Sequence, residues 1–421
     1  MSARVLLLAF AAFVINTGMF LLNGLLPVIS ERTGSTVSGA GQLVTLQAVA
    51  YAVSAPVLTA LAGRRMTRRA MLSTALLCYT AGSLVSGLAM DYPLLAAARV
   101  LTAVSTGLFT PTAIAAVADM APAARKGRAV GVVAAGVTLS TAVGTPAGLA
   151  LQEVLGFGGL FAAVGGITLL TWAAVTGALP SGQAPAAAGQ DSAPRSGSFL
   201  RTLPTPLRDH GIRWMLLVSL LTSVADYTAY AYVVPLLHGT GVGDPGTVTS
   251  LLLAYGVAAV VGSQLSALAC DRWGAARPVA VSLVLIAAGL ALLPLAGGSA
   301  GALFCLMAVW GLGGWGFVPA IQHYLVTRAT SATAVAVSLN TAAMHFGMAG
   351  GGALGGATLA FAPTAALGPL AAALALLTLL PLARAAGFRV RGRSGRTTVA
   401  AGGTGTPKPD RAPEPELTAA H

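Results

Sequence analysis

About twelve stretches of predominantly apolar sequence run through this chain, each near the ~20 residues that one helix needs to cross a bilayer. They fall close to 5–28, 40–62, 70–89, 94–117, 129–151, 160–179, 213–237, 247–269, 278–296, 302–325, 335–360 and 366–384. So many stretches leave little to fold into except a helical membrane bundle, because backbone amides in lipid must be bonded within the segment that carries them. Composition agrees: 56% of the residues are apolar and only 9% charged, against roughly 25% charged in soluble domains. Residues 181–211, rich in Pro, Ala, Gly and Ser, read as a cytoplasmic linker between a bundle over 1–180 and another over 212–385. Residues 386–421 read as a disordered cytoplasmic tail.

The net charge of +12 would suit a nucleic-acid partner if it were clustered on a soluble face. Its placement says otherwise. With the N-terminus inside, the N-terminal end, the even-numbered turns, the linker and the tail collect every Lys and Arg except Arg32 and Arg99. The odd-numbered turns hold Arg32 with Glu31, Asp91, Glu153 and Asp244. This is the positive-inside pattern, so twelve spans with both ends cytoplasmic are expected and no nucleic acid. Arg4 precedes an apolar run from Val5 to Pro27, too long for a cleavable signal and right for a span. Cys78, Cys270 and Cys305 lie far apart in or beside apolar runs, with neither disulfide nor metal spacing. No metal or cofactor is expected.

An offset of 208 aligns Pro235 with Pro27, Phe317 with Phe109, Pro319 with Pro111, Arg272 with Arg64 and Arg277 with Arg69. It also pairs Gly352 with Gly144 and Gly356 with Gly148, while Pro56 and Pro146 find no mate. A diverged duplication into parallel halves is a transporter architecture, with its site between the halves near the midplane.

Several motifs carry a family resemblance. Asp271-Arg272-Trp273-Gly274, followed by Arg277, resembles the D-R-x-G loop of the major facilitator superfamily. Ala98-Arg99-Val100, running on to Gly107, is similar to that family's fourth-helix arginine motif. Gly144-Thr145-Pro146-Ala147-Gly148, after Gly131 and Gly136, resembles its antiporter signature. Ser338-Leu339-Asn340-Thr341 with Gly347 and Gly355-Gly356 resembles span eleven of the drug-export branch, and Gly24-Leu25-Leu26-Pro27 the end of its first span. Two departures stand out. The first-half loop has Gly63 where the second half has Asp271, and Asn16–Phe20 offers no acid where relatives often carry one.

The resemblance covers nearly all of 4–384 and implies an all-α membrane protein of two pseudo-symmetric six-helix bundles. It implies gating roles for Arg64, Arg69, Asp271, Arg272, Gly274, Arg277, Gly144, Pro146 and Gly148. It also implies proton-coupled export from a bacterial cytoplasmic membrane by a monomer. The branch includes chloramphenicol-resistance and sugar-efflux exporters.

Two charged residues fall well within spans, Arg99 and Asp226. A charge at the bilayer centre costs ~2.5–3.5 kcal/mol on insertion scales, so it persists where it pairs or lines water. Asp226, midway along span seven, has the depth of a proton-exchanging group, with substrate contact and structural pairing as alternatives. Arg99 heads a stripe with Thr102 and Thr106 at helical spacing, or snorkels to the interface. His345 is a second proton carrier or a satisfied core residue. Asn16, Met19, Phe20, Asn23, Tyr227, Tyr230, Trp310, Trp315, Asn340, Met344 and Met348 are candidates for an adaptable apolar cavity. The expected function is proton-driven export of small amphipathic compounds, with transport of a specific metabolite such as a sugar as the alternative. An intramembrane enzyme is disfavoured by a lone deep carboxylate and scattered histidines. A channel is disfavoured because no segment reads as a re-entrant filter.

Overall fold

The computed structural model describes residues 2–63, 65–122, 125–179, 204–297, 299–329 and 333–391. Arg64, most of the expected linker and the tail beyond residue 391 lie outside these. Every regular element among the described residues is helical. Nine segments are long and apolar enough to cross a membrane. One of them, Lys126–Ala178, holds spans five and six, and helices His210–Tyr230 and Thr333–Phe361 complete the twelve as spans seven and eleven. The join inside Lys126–Ala178 is Gly156, at φ 67°, a left-handed backbone that only glycine adopts without strain.

The duplication is visible in the breaks. Span one is interrupted at Leu25, between Ala3–Gly24 and Leu26–Thr33, and span seven between Tyr230 and Val233. Each break falls just before one of the paired prolines, Pro27 and Pro235, whose missing N–H ends the helical ladder. The second proline pair behaves asymmetrically. Tyr92–Met120 runs unbroken through Pro111, while span ten splits into Ala300–Gly314 and Phe317–Arg328 ahead of Pro319. Span ten carries Gly311, Gly313, Gly314 and Gly316, where span four has Ala103, Ser105, Thr106 and Leu108. Added backbone freedom turns a tolerated proline into a break. The helices extend a few residues past the expected spans, with a short turn of helix at Pro204–Leu207 and a last helix running to Arg391.

The polar residues at the helix ends have local reasons. Asp91 and Asp244 each cap the N-terminus of the following helix, accepting the amides of Leu94 and Thr247. Arg32, the exception to the charge pattern, donates to the Ala89 and Gly87 carbonyls at the C-terminal end of span three and lies over the Phe157 ring. At the opposite, arginine-rich end, Arg68 pairs with Asp119, tying span three to span four. There too Arg328 Nε reaches both oxygens of Asp209 at 2.9 Å, tying span ten to span seven. Partial burial works to raise the Asp209 carboxyl, but the Arg328 hydrogen bond and the Ile212 amide outweigh it and hold it below its ordinary value. A depressed carboxylate stabilises the fold above its unfolded value, near 4, and that contribution disappears as pH falls through the folded one. Asp209→Asn should therefore lower Tm slightly at neutral pH and flatten its fall below about pH 4. Parallel melting curves for both proteins across that window would remove the ion pair from the stability account.

Candidate functional site

Asp226 lies in the middle of span seven, only 2% exposed. The Trp310 indole of span ten donates to its Oδ1 at 2.7 Å. Around Trp310 the rings of Tyr230 and Tyr255 pack edge-on at 6.0 and 5.0 Å and stack on each other at 4.9 Å. The other side of the carboxylate faces a cavity of about 10 Å³, room for roughly one water. Ser223 and Tyr227 line it from span seven, Gly314, Trp315 and Phe317 from the break in span ten, and Met344 and Met348 from span eleven. The break thus serves the site: it bends span ten where Asp226 needs space. Among the described residues no cation comes within ion-pair distance of Asp226.

The cavity lies within the second half, and the first half closes on it. Phe20 of span one meets Trp315 edge-on at 5.9 Å. The Tyr230 and Thr145 hydroxyls are hydrogen-bonded at 3.0 Å across the interface, and Thr145 also donates to the Phe20 carbonyl. Gly144 and Gly148 let span five lie directly on span one, since a Cβ on either would meet Phe20 or Leu21 below 3 Å. Pro146 is buried between them. Gly24 returns the fit, its absent Cβ facing the Thr145 carbonyl. Between spans two and eleven, Ser38 donates to the Gly356 carbonyl and Tyr232 of span seven to that of Gly352. Toward the arginine-rich end the halves part. The face of span five that touches span eight at Ala142 is exposed at Leu139, Ala135 and Gly131.

The expected cavity residues divide. Phe20, Tyr227, Tyr230, Trp315 and Met344 gather around Asp226, with Asn340 one turn away donating to Met344 Sδ. Asn16 turns instead to Ala12 and Thr110, Asn23 is buried with its Oδ1 unpartnered, and the Met19 carbonyl accepts from Gln47. His345 is half-buried. Its ring stacks on Tyr51 of span two at 4.0 Å, and Nδ1 donates to the Thr341 carbonyl. Arg99 is buried in the first half and bonds Gly18 and Gln47, not Asp226. Thr102 and Thr106 spend their hydroxyls on carbonyls of their own helix. Asp271, Arg272 and Arg277 are exposed, Arg69 is half-buried, and Gly274 ends span eight at φ 69°, which is why that turn needs glycine. Tyr255, Gln47 and Tyr51 join these residues without belonging to any motif in the sequence. Their only signal is a polar atom inside an apolar span.

The sequence model described as the Major Facilitator Superfamily matches residues 8–352. The chain belongs to that superfamily. It is 31% identical over 385 residues to the inner membrane transport protein YdhP of Escherichia coli O157:H7, covering 90% of this chain and 95% of that one. A chloramphenicol resistance protein of Streptomyces lividans is 31% identical over 381 residues, with 89% and 95% covered. A probable sugar efflux transporter of Mannheimia succiniciproducens is 28% identical, with 90% and 92% covered. Among solved structures, a bacterial homolog of the human lysosomal transporter Spinster, in an inward-facing and unoccupied conformation, matches with TM-score 0.67 at 16% identity. That match covers 91% of this chain and 94% of the other and shows the shared fold. This superfamily member is thus a multi-pass membrane transporter.

For such a protein the Tyr230–Thr145 bond has a testable weight. Tyr230→Phe should leave Tm within about 2 °C, because Thr145 keeps the Phe20 carbonyl and one hydrogen bond nets only ~1 kcal/mol. It should slow transport severalfold by loosening the joint between the halves. A wild-type rate in the variant would make the bond incidental.

Proposed function

We propose that this transporter exports a small amphipathic organic compound from a bacterial cytoplasm in exchange for protons, by alternating access. The observation that carries the reading is Asp226: a deeply buried carboxylate without a cation partner among the described residues, facing a cavity walled by Tyr227, Trp315, Phe317, Met344 and Met348. Intramembrane acids of this kind mark ion and substrate pathways. Aromatic and methionine walls adapt to varied apolar shapes. By the positive-inside pattern, the end where Ser38 meets Gly356 is external and the parted end cytoplasmic. In this reading the carrier is closed on its outer side, and cargo enters from the parted end. Asp226 loads a proton when the cavity faces outward and releases it when it faces inward. Arg99 and His345 are not on that route in this reading, since one lies inside the first half and the other stacks on Tyr51.

The relatives suggest the first probes, chloramphenicol and a sugar, although those names belong to the relatives. The test is a resistance panel in a pump-deleted host, paired with proton release from purified protein on adding each compound that scores. Export with proton release on addition supports the reading. Export indifferent to the proton gradient overturns the coupling, and uptake in place of export overturns the direction.

A further inference from the structure

Arg99 carries a full positive charge into the first half, 1% exposed, among spans one to four and six. Only its Nη2 is bonded, to the Gly18 carbonyl at 2.8 Å and Gln47 Oε1 at 3.3 Å. Nε and Nη1 have no partner. The ion pairs found among the described residues are Arg68–Asp119 and Arg328–Asp209, so no carboxylate among those residues balances it. The Tyr79 hydroxyl stands beside the guanidinium, with the Ser83 hydroxyl one turn along span three as its hydrogen-bonding neighbour; the residues are 1% and 0% exposed, and neither hydroxyl is bonded outside that pair. Gly18 makes room for that phenol, since a Cβ there would coincide with the Tyr79 oxygen. The Phe161 ring closes another side, 5.5 Å from the guanidinium carbon.

Guanidinium nitrogens can only donate, and both hydroxyls can. Nε, Nη1 and the one hydroxyl hydrogen that the Tyr79–Ser83 pair leaves over surround a buried cation, and the group they call for is an acceptor that carries negative charge. Buried charges persist when paired, and buried donors when bonded. We propose that Arg99 Nε and Nη1, with the Tyr79 and Ser83 hydroxyls, form a binding site for a small monovalent anion of halide type, which neutralises the first half from inside. The site is separate from the Asp226 cavity and stands whether or not Asp226 carries protons.

The test uses the full-length protein purified in detergent and gluconate buffer, with chloride or bromide titrated at constant ionic strength. A ligand that binds the folded state raises Tm saturably. The expected result is a saturable rise of several degrees with either halide. Tyr79→Phe combined with Ser83→Ala should raise the half-saturating concentration about tenfold. Arg99→Gln should abolish the saturable response, and Asp226→Asn should leave it unchanged. Equal Tm in chloride, bromide and gluconate overturns the site, as does a halide response that survives in Arg99→Gln. An unshifted midpoint in the double variant overturns this ligand set, and that arm stands even if Arg99→Gln fails to fold.

Discussion

Asp226→Asn should abolish proton-driven export while the protein still inserts and folds. Asparagine keeps the shape and an oxygen to accept the Trp310 indole, now bonded at 2.7 Å, so the ring cluster of Tyr230, Tyr255 and Trp310 keeps its anchor. What disappears is the exchangeable proton. One proton crossing 100 mV supplies about 2.3 kcal/mol, equivalent to about a fiftyfold concentration ratio. Loss of a single coupled proton should therefore erase a gradient of that order. Substrate counterflow without a proton gradient should survive, because the walls from Tyr227 to Met348 are untouched. The measurement is efflux and counterflow in vesicles with matched protein levels. Wild-type uphill export by the variant would remove Asp226 from the coupling. Loss of both activities at unchanged Tm would make it a substrate contact instead.

Much of this architecture is legible in the sequence, for reasons that differ by element. The spans are visible because lipid imposes a length and a polarity on each one. The breaks in spans one and seven follow from Pro27 and Pro235, which act locally. The split in span ten is only half legible. Pro319 has its mate in Pro111, yet span four stays whole, and the difference lies in the surrounding glycines.

The site is harder, because it depends on which faces of separate helices meet. Asp226 stands out as a deep charge, but nothing in its neighbourhood along the chain points to Trp310. Arg99 and Asp226 invite pairing as the two deep charges, and the fold places them in different halves. The Arg99–Thr102–Thr106 stripe has helical spacing, yet those threonine hydroxyls satisfy themselves on their own helix. Spacing reports which residues share a face. It does not report whether their polar atoms are already spent.

Gly256→Val should bias the carrier rather than unfold it, and a second glycine on the same helix makes the comparison. A Cβ on Gly256 would lie 2.4 Å from the Ala142 carbonyl oxygen and 2.5 Å from its Cα, backbone that cannot turn aside. Ala142 belongs to span five of the first half and Gly256 to span eight of the second. The overlap is relieved most simply by moving the halves apart at the closed end. Gly262, less than two turns on, faces the backbone of Leu312 in span ten of its own half. Valine there should overpack that half and destabilise it, typically by ~1–3 kcal/mol. Both variants should cut transport at least tenfold, for opposite reasons. In a background without Cys78, Cys270 and Cys305, a thiol placed by Ser38→Cys would report the closed end, where Ser38 bonds Gly356. Its labelling by an impermeant maleimide should rise severalfold with Gly256→Val at nearly unchanged Tm. With Gly262→Val, Tm should fall and labelling stay low. The same fall in Tm for both would mean that the spans five and eight contact holds the fold together and does not set which end is open.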